Sequence, residues 1–239
     1  MTRRRKLLLG LGALTGSALL ALAFAPKPDL YGDASFSSAV TARDGRLMRL
    51  ALADDDRYRL HTPLDAISPA AVAATLLYED RHFRSHPGFN PASLVRAAWS
   101  TYVAKSRVMG ASTITMQLAR MRFDLDTRTI SGKLEQIARA VQLERHYTKD
   151  EILEAYLNLA PYGGNVEGMG TAALVYFDKP AAELSLSEAL ALAVIPQNPA
   201  RRDPSSSAGY LDMSAARGRL FERWAERQSL TDTAVAQFA

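Results

Sequence analysis

The stretch SPAAVAATLLYEDRHFRSHPGFN, from Ser68 to Asn90, sets the fold expected for this chain. Ser68 and Pro69 are a helix N-cap followed by proline at the first helical position, a typical start signal. Counting from this start, apolar residues and Glu79 share one face of the helix. Glu79 therefore stands at the inner edge of the last turn, where the chain leaves the helix.

This position suits Glu79 to act as a general base. Apolar neighbours shelter the carboxylate, and the C-terminal end of a helix carries partial negative charge. Both effects raise a carboxylate pKa toward the near-neutral value that a general base needs. An ordinary ion pair, made by Glu79 or Asp80 with Arg81 or Arg84, also explains the local pattern.

A second string, GASTITMQLARMRF from Gly110 to Phe123, has a composition suited to anions. Hydroxyl side chains after a glycine offer polar groups at a helix start, where the dipole favours negative charge. Its polar side chains at near-helical spacing are Ser112, Thr113, Gln117 and Arg120. Residues 105–145 contain eight basic and four acidic side chains, typical of an anion site or of a solvated helix face. A capped helix without a ligand explains the string equally well.

Further start signals predict a mainly α-helical chain. The pairs that fit a capping box are Thr148 with Glu151 and Ser185 with Glu188. The predicted helices cover residues 69–80, 91–104, 112–122, 130–146, 149–159, 166–177, 186–195 and 209–227. Convincing strand alternation occurs only between residues 40 and 60, where Asp44-Gly45 predicts a tight hairpin turn.

The N-terminal segment has the features of a membrane anchor. Residues 7–24 are 18 residues without a charge, and a helix of that length reaches about 27 Å, close to the hydrocarbon core of roughly 30 Å. The basic residues at positions 3–6 predict that this end stays in the cytoplasm. Ala23-Phe24-Ala25 also resembles a signal-peptidase site, and Thr2-Arg3-Arg4 a twin-arginine signal. All three interpretations place the rest of the chain outside the cytoplasm.

Composition excludes several classes of protein. The chain has 239 residues, 48% of them hydrophobic, and its lack of cysteine excludes disulfide scaffolds and thiolate metal sites. This length suits one globular domain. Without the four basic residues at positions 3–6, the 29 basic residues fall to 25, which equals the 25 acidic ones. Binding to nucleic acid is therefore not expected.

Five strings together resemble the peptidoglycan glycosyltransferase family, the module of bifunctional penicillin-binding proteins and of monofunctional transglycosylases. In chain order they are EDRHFRSHPGFN (79–90), GASTITMQ (110–117), GKLEQIARAVQLE (132–144), YLNLAPYGGNVEGMGTAALVYF (156–177) and LSLSEALALAVIPQNP (184–199). Met116 in the second motif and Asn90-Pro91 in the first are typical of the 1C subgroup of penicillin-binding proteins.

The resemblance implies a lysozyme-like, mainly α-helical glycosyltransferase domain with a small N-terminal β-hairpin and one N-terminal transmembrane helix. The expected divisions are a basic flank and anchor at 1–25, a lead-in at 26–66, the glycosyltransferase domain at 67–228 and a tail at 229–239. A chain of this length is not expected to hold a transpeptidase domain as well. The expected location is the cytoplasmic (inner) membrane, with the catalytic domain on the periplasmic or extracellular side.

The resemblance also implies polymerisation of lipid II, with Glu79 as general base on the acceptor 4-hydroxyl and undecaprenyl pyrophosphate as leaving group. The residues implied to bind substrate and pyrophosphate are Ser112, Thr113, Gln117, Arg120, Arg128, Lys133 and Gln136. The supporting motif residues are Asp80, Phe83, His86, Gly88, Gly110, Asn158 and Gly163. No cofactor is obligatory, although Mg²⁺ or Mn²⁺ at the donor pyrophosphate is compatible with the family. Expected partners are lipid II, lipid-linked glycan, the membrane and a separate transpeptidase, without nucleic acid.

The third motif departs from the family pattern at two positions. Gly132 replaces an arginine, and Gln136 replaces the second active-site carboxylate of the family. Gln136 can donate and accept hydrogen bonds, but it cannot offset the charge of a metal. Since the 1C subgroup shares this pattern, we expect a feature of the lineage rather than inactivation. Two other functions stay open: a membrane-anchored, lipid II-binding pseudoenzyme and, less favoured, a lysozyme-like lytic enzyme.

Overall fold

The computed structural model describes residues 25–43, 47–91 and 112–228. They form two compact units, each built from separate stretches of chain. The first unit contains residues 25–32, 84–91 and 112–152, and the second contains residues 33–43, 47–83 and 153–228. The predicted anchor, the Asp44-Gly45 turn and nearly all of the helix predicted at 91–104 lie outside the described residues. None of the helices within the described ranges combines the length and the hydropathy of a membrane span.

Seven helices dominate the described residues, which confirms the mainly α-helical expectation. The helices are α1 (Pro69–Glu79), α2 (Ile114–Arg122), α3 (Ile130–His146), α4 (Lys149–Leu159), α5 (Met169–Phe177), α6 (Leu186–Val194) and α7 (Ser207–Gln228). The strands are β1 (Ala39–Thr41), β2 (Leu47–Leu50), β3 (Tyr58–Arg59) and β4 (Val166–Glu167). Short 3-10 turns cover Leu64–Ala66, Phe83–Ser85 and Ala181–Glu183. The lysozyme-like arrangement of these helices stays a prediction.

Hydrogen bonds from side chains fix several helix starts. Ser185 and Glu188 form the predicted capping box at the start of α6. The same exchange occurs before α4, where the Thr148 N–H donates to Glu151 Oε2 at 2.7 Å and the Glu151 N–H donates to Thr148 Oγ1 at 3.3 Å. Helix α1 begins where predicted, but the Ser68 side chain makes no capping hydrogen bond. Of the two predicted start signals, the structure therefore shows only the proline at the first helical position.

In the first unit, α2 packs along α3. Ile114 and Leu118 of α2 and Ala140 and Leu143 of α3 are fully shielded from solvent. Residues 25–29 run beside these helices and supply backbone carbonyls as hydrogen-bond acceptors. The side chains that donate to these carbonyls are Arg122, Gln142 and Tyr147.

In the second unit, α6 packs against α1 and α7. Residues 189–194 of α6 are all buried, as expected for a helix covered on several sides. Strand β1 pairs with β2 in antiparallel orientation, and β3 pairs with β4 in parallel. Arg59 of β3 is buried and forms an ion pair with Glu167 of β4. This short sheet therefore joins segments that lie far apart in the sequence.

The start of α5 differs from the prediction. The sequence predicts a helix from residue 166, whereas Val166–Glu167 is a strand and α5 begins at Met169. Gly168 separates the two with a φ of 84°, and its N–H donates to the Ala160 carbonyl at 2.9 Å. A positive φ does not fit a right-handed helix, and glycine adopts it without a Cβ clash.

Candidate functional site

Glu79 is the last residue of α1, in the second unit. The Asp80 N–H donates to the Leu76 carbonyl at 3.0 Å and closes the final turn. Asp80 and Phe83, which follow, are both buried, and the Phe83 N–H donates to the Asp80 carbonyl at 3.1 Å. The Glu79 side chain is half-buried, with Oε1 shielded from solvent. The end of a packed helix thus holds a partly sheltered carboxylate.

The charge of Glu79 affects the pKa of the buried Tyr162 phenol. Burial raises the pKa of Tyr162, and the negative charge of Glu79 raises it further. The Tyr162 N–H donates to the Val166 carbonyl at 2.9 Å, and the Tyr162 carbonyl accepts from the Tyr176 hydroxyl at 2.8 Å. The sequence does not single out Tyr162, because a tyrosine with apolar neighbours is also typical of a core.

Asn158 and Gly163, in the fourth motif, shape the second unit. Asn158 is buried; its Oδ1 accepts from the Thr62 N–H at 2.8 Å, and its Nδ2 donates to the Thr62 carbonyl at 2.9 Å. Gly163 has a φ of 107°, and a Cβ at this position would lie 2.9 Å from Asp203 Cγ. The hydrogen bonds of Asn158 therefore join α4 to Thr62, and the lack of a Cβ at Gly163 allows Asp203 to approach closely.

In the first unit, hydrogen bonds join His86, Gly88 and Thr113. Thr113 Oγ1 accepts from the Met116 N–H at 3.1 Å, which caps α2, and donates to the Gly88 carbonyl at 2.6 Å. The Gly88 N–H donates to His86 Nδ1 at 3.2 Å, so a neutral ring carries its proton on Nε2. Gly88 has a φ of 93°, and a Cβ there would lie 2.8 Å from the Ala140 carbonyl oxygen. The loop is therefore held closely against α2 and α3.

Lys133, Ser112 and Gln136 meet where α2 contacts α3. Lys133 Nζ donates to Ser112 Oγ and to Gln136 Oε1, both at 2.8 Å. Gln136 is 2% exposed, and its Nε2 donates to the Met116 carbonyl at 2.6 Å. Burial lowers the pKa of Lys133, and the positive charge of Arg120 lowers it further. We call Ser112, Lys133 and Gln136 the lysine cluster; a partly desolvated ammonium beside a hydroxyl suits a phosphate oxygen.

Of the remaining predicted anion-binding residues, Arg120 is close enough for its charge to act on Lys133. Arg120 and Arg128 are exposed, and Gln117 is half-buried on α2. Arg128 lies between α2 and α3, where its N–H donates to Asp126 Oδ1 at 3.1 Å. Gly110 lies outside the described residues. Contact of Gln117, Arg120 and Arg128 with a ligand stays a prediction, as it does for Ser112, Thr113, Lys133 and Gln136.

A brace formed by Glu144, Lys149 and Thr115 is not apparent from the sequence. Glu144 Oε1 accepts from Thr115 Oγ1 and from Lys149 Nζ, each at 2.6 Å. Lys149 also donates to the His86 carbonyl at 2.7 Å. Glu144 is the last residue of the third motif, and this position was the only sequence signal that it has a role. The spacing of residues in the sequence does not show which side chains Glu144 contacts. The brace ties α2, α3 and α4 to the loop that carries His86.

The side chain at position 136 does not fit a divalent cation. Its oxygen faces the Lys133 ammonium, and its nitrogen is a donor. Mg²⁺ and Mn²⁺ prefer oxygen ligands, carboxylates among them. In the part of the chain that the structure describes, no three histidine, aspartate or glutamate side chains are grouped so as to hold a metal ion.

Comparisons with known proteins give consistent matches. A family model described as "Transglycosylase" matches residues 44–224. Penicillin-binding protein 1C of Escherichia coli is 44% identical over 187 residues, 78% of this chain and 24% of that protein. Penicillin-binding protein 4 of Bacillus subtilis is 40% identical over 168 residues, 70% of this chain and 27% of that protein. The chain thus spans about a quarter of each of these relatives. A biosynthetic peptidoglycan transglycosylase of Yersinia pseudotuberculosis is 34% identical over 206 residues, 85% of this chain and 81% of that protein.

Proposed function

The chain belongs to the transglycosylase family, and we propose that it is a peptidoglycan glycosyltransferase that polymerises lipid II into glycan strands. The observation that carries this proposal is the Glu79 carboxylate, half-buried at the end of α1 with one oxygen shielded from solvent. The resemblance of the first motif assigns a general base to this position. A carboxylate can accept the proton of a sugar hydroxyl that lies within hydrogen-bond reach.

Glu79 takes the proton of the acceptor 4-hydroxyl as that oxygen attacks the anomeric carbon of the donor. The bond from this carbon to undecaprenyl pyrophosphate breaks with inversion, and the pyrophosphate leaves with the bonding electron pair. General-base assistance of this kind contributes about 10² to 10⁴ in rate.

The lysine cluster is the proposed site for the donor pyrophosphate, which gains negative charge as it departs. Lys133 supplies a fixed positive charge that is partly removed from water, and Ser112 supplies a hydroxyl beside it. Arg120 and Arg128 add planar guanidinium groups, each of which can donate two parallel hydrogen bonds to phosphate oxygens. Thr113 caps α2, and Ser112 directly precedes this cap at the end of the helix where the dipole favours an anion.

We propose further that the chain works at the outer face of the cytoplasmic membrane. Lipid II and lipid-linked glycan both carry polyprenyl tails, so an anchor at residues 7–24 confines the search for substrate to a plane. The basic residues at positions 3–6 orient this anchor with the catalytic units outside. A separate transpeptidase would then cross-link the strands.

Incubation of the full chain with labelled lipid II tests the activity. Wild type should form polymer, and Glu79→Gln should be about 10²- to 10⁴-fold slower because an amide cannot accept the proton. Glu222→Gln changes an exposed carboxylate of the same unit and should retain activity. Polymerisation at the wild-type rate in Glu79→Gln would refute the assignment of the base.

The lipid II assay, together with incubation of the chain with purified sacculi, separates two other functions. A lytic enzyme would release soluble fragments from purified sacculi and make no polymer. A lipid II-binding pseudoenzyme is the function that the neutral Gln136 would favour. It would bind lipid II without turnover, and Glu79→Gln would cause no loss of its cellular function. Polymer whose formation is blocked by moenomycin would exclude both.

A further inference from the structure

Both ends of the Gln136 amide are engaged in the contact between α2 and α3. Oε1 accepts from Lys133 Nζ at 2.8 Å, and Nε2 donates to the Met116 carbonyl at 2.6 Å. An ammonium only donates and a carbonyl only accepts, so the reversed amide would lose both hydrogen bonds. The amide orientation is therefore fixed, and Gln136 in turn holds the end of Lys133.

A carboxylate at position 136 would not reproduce these contacts. One of its oxygens would face the Met116 carbonyl oxygen across the 2.6 Å that an N–H now bridges. Two acceptors repel at that distance, and a buried acceptor without a donor is costly. Met116 is fully buried, so the backbone of α2 has little room to move away.

A carboxylate would also change the charge of the site. Both hydrogen-bond partners of Lys133 Nζ in the described part of the chain, Ser112 Oγ and Gln136 Oε1, are neutral. The nearest acid in sequence, Glu135, is exposed and lies 3.7 Å from Arg139 in an ion pair. The hydrogen bonds that hold Lys133 therefore do not neutralise it.

We propose that Gln136 is a positioning residue that aims Lys133 at the donor diphosphate and, being neutral, leaves the full ammonium charge to that ligand. This inference rests on the proposed function and deepens it, because it says how the lysine cluster takes a diphosphate. Since the side chain at 136 does not fit a divalent metal, the cation that meets the diphosphate at this position is Lys133 itself.

Calorimetric titration of the full chain with inorganic pyrophosphate tests this role. Gln136→Glu should bind at least about tenfold more weakly, because the new carboxylate pairs with Lys133 and withdraws a charge-assisted hydrogen bond from the ligand. Gln136→Met, which is neutral but lacks the amide, should bind several-fold more weakly because Lys133 is no longer aimed. Glu135→Gln is the matched control on the neighbouring residue and should bind like wild type.

The pKa of Lys133 separates positioning from a general effect on folding. Measured by NMR of labelled lysine side chains, with Lys133→Met to assign the signal, it should rise in Gln136→Glu because a carboxylate favours the ammonium. It should not rise in Gln136→Met. Wild-type pyrophosphate affinity in either variant, or an unchanged Lys133 pKa in Gln136→Glu, would overturn the inference. If Gln136→Glu does not fold, Gln136→Met decides alone.

Turnover of lipid II distinguishes this inference from the proposed function. A wild type that makes no polymer, together with weaker pyrophosphate binding in both position-136 variants, refutes the polymerase and supports the role of Gln136. An active wild type whose variants bind pyrophosphate unchanged refutes the role of Gln136 and leaves the polymerase standing.

Discussion

At Lys133, burial and a neighbouring positive charge act in the same direction. Each disfavours the ammonium, so both lower the pKa of Lys133 below its ordinary value. The side chain therefore loses its proton at a lower pH than an exposed lysine does. An anion that depends on this ammonium loses its partner over the same pH range.

Affinity for pyrophosphate should accordingly fall as pH rises through the lowered pKa of Lys133. Below that pKa the ammonium is charged and attracts the anion, whereas above it the amine is neutral and the contribution of Lys133 to binding is lost. Lys133→Arg should remove this alkaline decline, because a guanidinium stays charged throughout. Calorimetric titrations from neutral to strongly alkaline pH check the prediction, and an equal decline in Lys133→Arg would contradict it.

Glu144 should contribute more to stability than an exposed carboxylate of the same unit. Its Oε1 accepts two hydrogen bonds at 2.6 Å, and its side chain is 10% exposed. Glu144→Gln leaves Lys149 without this opposite charge, so we expect a loss of about 2–4 kcal/mol in the free energy of unfolding. Asp150→Asn, which removes the exposed pair with Arg84, should cost about 1 kcal/mol or less. Equal shifts of the two variants in urea denaturation would argue against the brace.

At the scale of single elements, the two serine positions before α6 and α1 make a matched pair. Ser185 accepts from the Glu188 N–H in a complete capping box, whereas the Ser68 side chain makes no capping hydrogen bond. Ser185→Ala should therefore destabilise the fold by about 1 kcal/mol, and Ser68→Ala by clearly less. Thermal or urea unfolding of the two variants measures the difference. A larger cost at Ser68 would show that capping is not the relevant contribution.

Helices were predictable from the sequence because their signals are local. Caps, prolines and the period of apolar residues lie within a few positions of each helix end, and every predicted helix in the described ranges is present with its ends within three residues. Strand β4 is different, because it exists through pairing with β3, about a hundred residues earlier. No local pattern shows such a partner. The helix predicted from the sequence therefore began three residues before α5 and included Gly168.

In the candidate site, too, some features were predictable from the sequence and others depend on contacts between distant residues. The resemblance to known motifs named Ser112, Lys133 and Gln136 together, and the structure joins them by hydrogen bonds. The direction of the Gln136 amide was not predictable, because it depends on the backbone carbonyl of a residue on another helix. Tyr162 and Glu144 were missed for a similar reason: their significance lies in which groups they meet in three dimensions.

At the scale of the whole molecule, the first motif does not belong to one compact unit. The division falls between Phe83 and Arg84, so Glu79 lies in the second unit and His86 and Gly88 lie in the first. Each unit also combines segments separated by long stretches of chain, such as residues 25–32 with α3. A motif that is continuous in sequence therefore supplies different structural parts to each unit.

The distribution of charge along the chain allows the predicted membrane location to be tested. Four basic residues precede the uncharged residues 7–24, and basic and acidic residues balance in the rest of the chain. We therefore expect the full chain to remain in the membrane fraction after washing with high salt and alkaline carbonate, because an inserted helix does not depend on surface charge. Protease added from the outer side should digest the region after residue 24.

The mass of the chain shows whether the anchor is retained. An intact mass of 26.1 kDa in the membrane fraction indicates a retained anchor, whereas a soluble product that begins after Ala25 indicates cleavage. Release of the intact chain by salt alone would show that the N-terminal segment does not insert.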